Sequence, residues 1–147
     1  MDTPLVIERT FNAPVEKVWK AITDLDQMKQ WYFPQLENFK AQEGFETEFN
    51  VHHEGVDYYH VWKIKEVVPL KKISLEWRYK DYPGNSIVSF ELFPQGNNTR
   101  LVLTHTGLES FMPEKYPELA RKNFNEGWTQ FMNVELKDFL EKNMAVK

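Results

Sequence analysis

No cysteine occurs in the 147 residues. Disulfides, thiol nucleophiles and cysteine-bound metal are excluded with it. Glycine is scarce, at six, and neither a Gly-rich phosphate loop nor a dinucleotide fingerprint is present. No apolar run approaches the roughly 20 residues that span a bilayer. The start, Met1-Asp2-Thr3-Pro4, lacks the basic and apolar stretches of a signal peptide. A cytoplasmic protein without membrane attachment is expected. Basic excess is also missing: 18 Lys and Arg face 22 acids, a net charge of −4. That argues against nucleic acid as a partner. The four histidines, His52, His53, His60 and His105, include no helical His-x-x-x-His pair. His52 and His53 are neighbours on a strand and point to opposite faces. Neither a metal nor another cofactor is expected. No Gly-x-Ser-x-Gly elbow exists, and Ser74, Ser86, Ser89 and Ser110 read as strand or turn residues.

Aromatic residues are abundant instead, at 15%, with 11 Phe, 6 Tyr and 5 Trp. Each ring buries roughly 150–250 Å², enough together to fill a sizeable core or line a pocket. Residues 4–11 read as a strand with Leu5, Ile7, Arg9 and Phe11 on one face. Pro14 opens a helix whose Val15, Val18, Trp19 and Ile22 recur at helical spacing. Asp24 is placed to cap a second short helix that Pro34 ends.

From about residue 45 the period changes to two. Phe45, Thr47, Phe49 and Val51 share a face. So do Tyr58, His60, Trp62 and Ile64, then Ile73, Leu75, Trp77 and Tyr79. Val88, Phe90 and Leu92 follow, then Leu101, Leu103 and His105. Turns at Glu54-Gly55, Pro69 to Lys72, Pro83-Gly84-Asn85 and Gln95 to Asn98 join five strands into an antiparallel meander. A connector, Leu108 to Tyr116, leads to a long amphipathic helix predicted over about Pro117 to Asn143, with Phe124, Trp128, Phe131, Met132, Leu136 and Phe139 on one arc. The expected architecture is α+β in one domain, residues 1–147. A curved six-stranded antiparallel sheet wraps the C-terminal helix, with two short helices after the first strand.

This order of elements resembles the helix-grip fold of the START-like and birch-pollen-allergen-like (SRPBCC) superfamily. Local motifs narrow the resemblance. Arg9-Thr-Phe-Asn-Ala-Pro14 followed by Val18-Trp19 and Ala21 is similar to the opening of the family related to the activator of the heat-shock-protein-90 ATPase. Trp31 matches the Trp that closes the second helix there. Glu66-Val-Val-Pro69-Leu-Lys-Lys-Ile73 resembles the family's hairpin, with Leu70 replacing a second proline. Leu101-Val-Leu-Thr-His105-Thr-Gly107 and Gly127-Trp128 match its sixth strand and last helix. The resemblance implies a fold that often encloses a cavity. It also implies functions that vary from chaperone activation to binding of hydrophobic small molecules and cyclisation of polyketides.

The expected function is binding of a small hydrophobic or amphipathic molecule between sheet and helix, without turnover. Phe49, Tyr58, His60, Trp62, Trp77, Tyr79, Phe90, His105, Phe124, Trp128, Phe131 and Met132 are the expected wall. Phe111 and Met112 are the expected gate. Glu135, seven residues after Trp128, falls within the apolar arc and is the expected polar anchor, paired with His60, His105 or Tyr79. Two alternatives remain open. One is an interaction module that stimulates a chaperone ATPase through its outer surface. The other is a cyclase- or hydrolase-like enzyme using Glu135 with His60 or His105.

Overall fold

The computed structural model describes residues 3–145, with side chains through Glu141. Met1, Asp2, Val146 and Lys147 lie outside the described residues. Strand β1 (Leu5–Phe11) is followed by α1 (Val15–Thr23) and α2 (Leu25–Trp31). The meander comprises β2 (Glu46–His53), β3 (Val56–Val68), β4 (Lys72–Tyr79), β5 (Ser86–Gln95) and β6 (Asn98–Thr106). Two short 3-10 turns, Leu108–Phe111 and Pro117–Leu119, lead to α3 (Arg121–Gln130).

The sheet has six strands in the order β1-β6-β5-β4-β3-β2, every pair antiparallel. The period-two reading survives in the register. His60 lies opposite both Phe49 and Tyr79, and Trp62 opposite Trp77. A register shift between Ile64 and Glu66 interrupts the β3–β4 ladder, and such a bulge bends a strand. Glu54 and Gly55 both take positive φ, at 50° and 81°. They make the two-residue hairpin turn that matches strand twist. At the start of α2, the Asp24 carboxylate accepts from Gln27 N–H at 3.2 Å, the expected cap.

The C-terminal helix differs from its sequence pattern in two ways. It starts later: Pro117–Leu119 is a separate 3-10 turn, and Ala120 is extended. It also contains a π turn, Phe131–Glu135, before resuming as α4 (Leu136–Ala145). Leu136 N–H donates to the Phe131 carbonyl, five residues back rather than four. One extra residue in that turn shifts the phase of everything after it. At 100° per residue Glu135 would return to the azimuth of Trp128. Instead Leu136 takes that place, and Trp128, Met132, Leu136 and Leu140, each four apart, are the buried residues.

The loop between β4 and β5 is clasped to the 3-10 turn after β6. Gly84 has φ of +93°, and a Cβ there would stand 2.4 Å from the Ser110 carbonyl oxygen. Asn85 N–H donates to Ser110 Oγ at 3.0 Å across the same junction. Gly96 also has positive φ, +65°, but faces open space. Gly84→Ala should therefore lower stability by more than about 2 kcal/mol in urea unfolding, whereas Gly96→Ala should cost only about 1 kcal/mol. Equal losses would show that the close approach to Ser110 carries no weight.

Candidate functional site

The inner face of the sheet and the C-terminal helix meet through one continuous chain of hydrogen bonds. Trp128 Nε1–H donates to His105 Nδ1 at 3.0 Å. A ring nitrogen that accepts carries no proton, so His105 holds its proton on Nε2, which donates to Ser86 Oγ at 2.8 Å. Ser86 in turn donates to the Trp77 carbonyl at 2.7 Å. His105 is wholly buried and Ser86 and Trp128 nearly so. With Nε2 protonated toward the serine, this imidazole is the wrong tautomer to activate Ser86 as a nucleophile. The pair acts as a structural tie.

Above that tie an open cleft of about 630 Å³ lies between the sheet and α3. This is within the size range of small-molecule sites. Its floor is aromatic: Phe33, His60, Trp77, Tyr79 and Trp128 all line it and are all buried. Phe124 and Phe131 rise from the helix, and Tyr58 from β3. Its mouth is polar. His53 and Glu54 come from the β2–β3 hairpin, Glu118 from the second 3-10 turn, and Asn123, Glu126 and Gly127 from α3.

His60 stacks on Phe49, with ring centroids 4.8 Å apart, and its Nδ1–H donates to the Tyr58 carbonyl at 2.9 Å. Nε2 is left as an acceptor. Burial pushes its pKa from 6.5 down to about 4, outweighing the Tyr58 carbonyl, which favours the charged form. Burial likewise raises the Tyr79 and Tyr32 phenols well above their ordinary range, so both stay protonated donors. Among the described residues the buried Trp77 indole N–H has no partner of hydrogen-bond geometry, although it sits close enough to the Tyr79 hydroxyl to favour that group's ionised form. At the mouth, burial first and then the carboxylates of Glu118 and Glu54 raise the Tyr58 phenol. Tyr82 stacks on Tyr58 at 6.1 Å, donates to Glu118 at 3.3 Å and meets Tyr116 at 5.2 Å. Of these rings Tyr58 lines the cleft, and Tyr82 and Tyr116 pack outside the lining.

The structure separates the expected site residues into groups. Tyr58, His60, Trp77, Tyr79, Phe124, Trp128 and Phe131 line the cleft. Phe49, Trp62, Phe90, His105 and Met132 lie behind it in the core. Phe111 and Met112 do not gate the mouth: Phe111 is wholly buried, stacked on Phe124 at 5.7 Å, and Met112 is exposed away from the lining. Glu135 is exposed and accepts from Gln130 Nε2 at 2.8 Å, so it meets neither His60, His105 nor Tyr79. The π turn is the physical reason, because it carries Glu135 off the Trp128 face. The expected anchor, and the acid–base pair built on it, are therefore not formed.

Tyr32 and Phe33 were missed by periodicity. They follow Trp31 at the end of α2, where the residues leave the regular helix. Tyr32 packs against Phe131 at 4.8 Å and Trp128 at 5.9 Å. Phe33 packs against His60 at 5.3 Å and Phe131 at 5.2 Å. The legible signal was three consecutive rings before Pro34.

The family model described as Activator of Hsp90 ATPase homolog 1-like protein matches residues 12–141. The chain belongs to this family. Solved structures share its fold. A Mesorhizobium loti protein aligns with 25% identity and a TM-score of 0.75 over 95% of this chain and 98% of its own. A Chromobacterium violaceum protein aligns with 21% identity and a TM-score of 0.74 over 94% of this chain and 96% of its own. A protein of the dynemicin biosynthetic locus aligns with 20% identity and a TM-score of 0.73, over 95% of this chain but 48% of its own. No curated protein matches the chain. Among the described residues no helix is long and apolar enough to cross a membrane.

His60 makes stability pH-dependent. The unfolded chain takes up a proton near pH 6.5, while the folded imidazole resists it down to about pH 4. The contribution is thus complete above pH 6.5 and is lost as pH falls toward 4. Between pH 7 and pH 5 it amounts to about 2 kcal/mol. Replacing His60 by Phe should flatten the loss over that interval by a similar amount, read from urea titrations at each pH. An unchanged slope would show that His60 is not held neutral.

Proposed function

We propose that the protein binds a small, largely apolar molecule in the cleft between the sheet and α3. The observation that carries this reading is Gly127. A glycine within a helix costs about 1 kcal/mol relative to alanine. Nothing in the fold demands it here, because its φ is not left-handed and a Cβ would meet nothing within 4 Å. Gly127 lines the cleft. The helix therefore forgoes a side chain where one would occupy the open space. An interaction module that docks by its outer surface gives no reason for such a gap.

The floor supplies the chemistry of recognition. Its rings offer apolar area, the Tyr79 hydroxyl offers a donor, and His60 Nε2 offers an acceptor. An apolar body with one or two neutral polar groups fits that set. No turnover is assigned to it. Glu135 points elsewhere, and the neutral His60 has no nucleophile placed against it by any described hydrogen bond.

Gly127→Phe tests the reading. The variant should fold with a Tm at or slightly above that of the parent, since helix propensity improves. The neutral fluorescent probe N-phenyl-1-naphthylamine should bind the parent with a Kd in the micromolar range, about −8 kcal/mol. The variant should bind it at least about tenfold more weakly. Equal binding by parent and variant would remove the cleft from consideration.

A further inference from the structure

The charges around the cleft have one sign. Glu54, Glu118 and Glu126 line it from three separate elements, and among the described residues no Lys or Arg lines it. The carboxylates are weakly countered. Glu54 stands 3.7 Å from His53, with both side chains mostly exposed, and among the described residues the Glu118 carboxylate accepts the neutral Tyr82 hydroxyl and no cation. Among the described residues neither Glu118 nor Glu126 forms an ion pair. Lys115 lies over the Tyr116 ring, outside the lining. Beneath the carboxylates stand the rings of Tyr58, Trp77, Tyr79, Phe124 and Trp128.

Both features act in the same direction. A cleft lined by one sign of charge, over low-dielectric walls, concentrates ions of the opposite sign. Aromatic faces carry negative quadrupoles and attract cations within about 6 Å. An anionic ligand would have to bring its charge past three carboxylates and would find no cation within. The floor meanwhile stays neutral, with His60 uncharged and the phenols protonated near pH 7.

We propose that the cleft selects organic cations: an aromatic or aliphatic body seated on the floor rings, with a protonated or quaternary amine held at the mouth by Glu54, Glu118 and Glu126. This rests on the reading of the cleft as a ligand site and names the ligand class. It disfavours fatty acids and other carboxylates, which a purely apolar pocket would accept.

Three probes that share one ring system and differ in charge separate the possibilities. 2-Naphthylmethylamine is cationic at pH 7.5, 2-naphthalenemethanol is neutral and 2-naphthoate is anionic. Their Kd values are read by isothermal titration calorimetry on the full chain. The amine should bind at least about tenfold more tightly than the naphthoate, with the alcohol between them. The preference should shrink about threefold or more in 0.5 M NaCl, because the mouth is exposed to screening. In the triple variant Glu54→Gln, Glu118→Gln, Glu126→Gln, the ratio of amine to alcohol affinity should fall below about two. All three positions are solvent-exposed, and circular dichroism checks the fold. Naphthoate binding as tightly as the amine would overturn the charge preference while leaving the cleft as a neutral-ligand site. Amine binding undiminished by Gly127→Phe would place the cation outside the cleft and overturn the proposal. Failure of all three probes to bind the parent would overturn the cleft reading, and this inference with it.

Discussion

Trp128 delivers its ring and its single polar hydrogen to the sheet at one point, and the helix is registered there. Apolar packing alone is non-directional and would leave a helix free to slide or roll on a surface of rings. The donor–acceptor chain through His105 and Ser86 to the Trp77 carbonyl removes that freedom. Each link is buried, so breaking one leaves a polar group unsatisfied at a cost of about 1–3 kcal/mol. The tie also sets how closely α3 can approach β3 and β4. Trp77 and Trp128, 5.4 Å apart at their ring centroids, fill the space beneath the cleft. The cleft extends toward the β2–β3 hairpin, where His53 and Glu54 line it.

Much of this arrangement could be read from alternation. Every residue from Tyr79 back to Ile73 at period two is buried as expected, and the same holds for Leu101, Leu103 and His105. Strand periodicity is robust because a slip of one residue would turn the whole row to solvent. Helical periodicity failed at one place for a definable reason. A single residue added by the π turn is invisible to a rule that advances by a fixed angle, and all later positions inherit the error. Glu135 was misplaced by it. Leu136 was counted in the apolar arc, because the arc is broad enough to admit both phases.

Asn123, Glu126 and Gly127 line the site from α3 but carry no large apolar side chain. The other members that escaped notice include Phe33, which follows α2, Glu54 at a hairpin tip and Glu118 in a 3-10 turn. Such residues have no period, so only the closure of the chain brings them together. The seven expected residues that do line the cleft, six aromatic side chains and His60, all belong to β3, β4, α3 or the first residue of the π turn. Other inner-face residues, such as Phe90 and Trp62, are buried against neighbouring rings, Phe90 against Trp128 and Trp62 against Tyr32, Phe33 and Trp77. Face was legible in the sequence; depth was not.

The mouth and the tie are built from different parts of the chain. Glu54, Glu118 and Glu126 sit on a hairpin tip, a short turn and the exposed side of a helix, none of them in the hydrogen-bonded chain below. Substitutions at the mouth would therefore cost little in folding. On the proposed ligand reading, a lineage could exchange one class of cargo for another by a few surface changes, keeping the same frame throughout. Solved relatives with only about a fifth to a quarter of their residues in common with this chain still superpose on it closely. A frame that separates its support from its opening in this way is one on which new binding preferences can arise without passing through unstable intermediates.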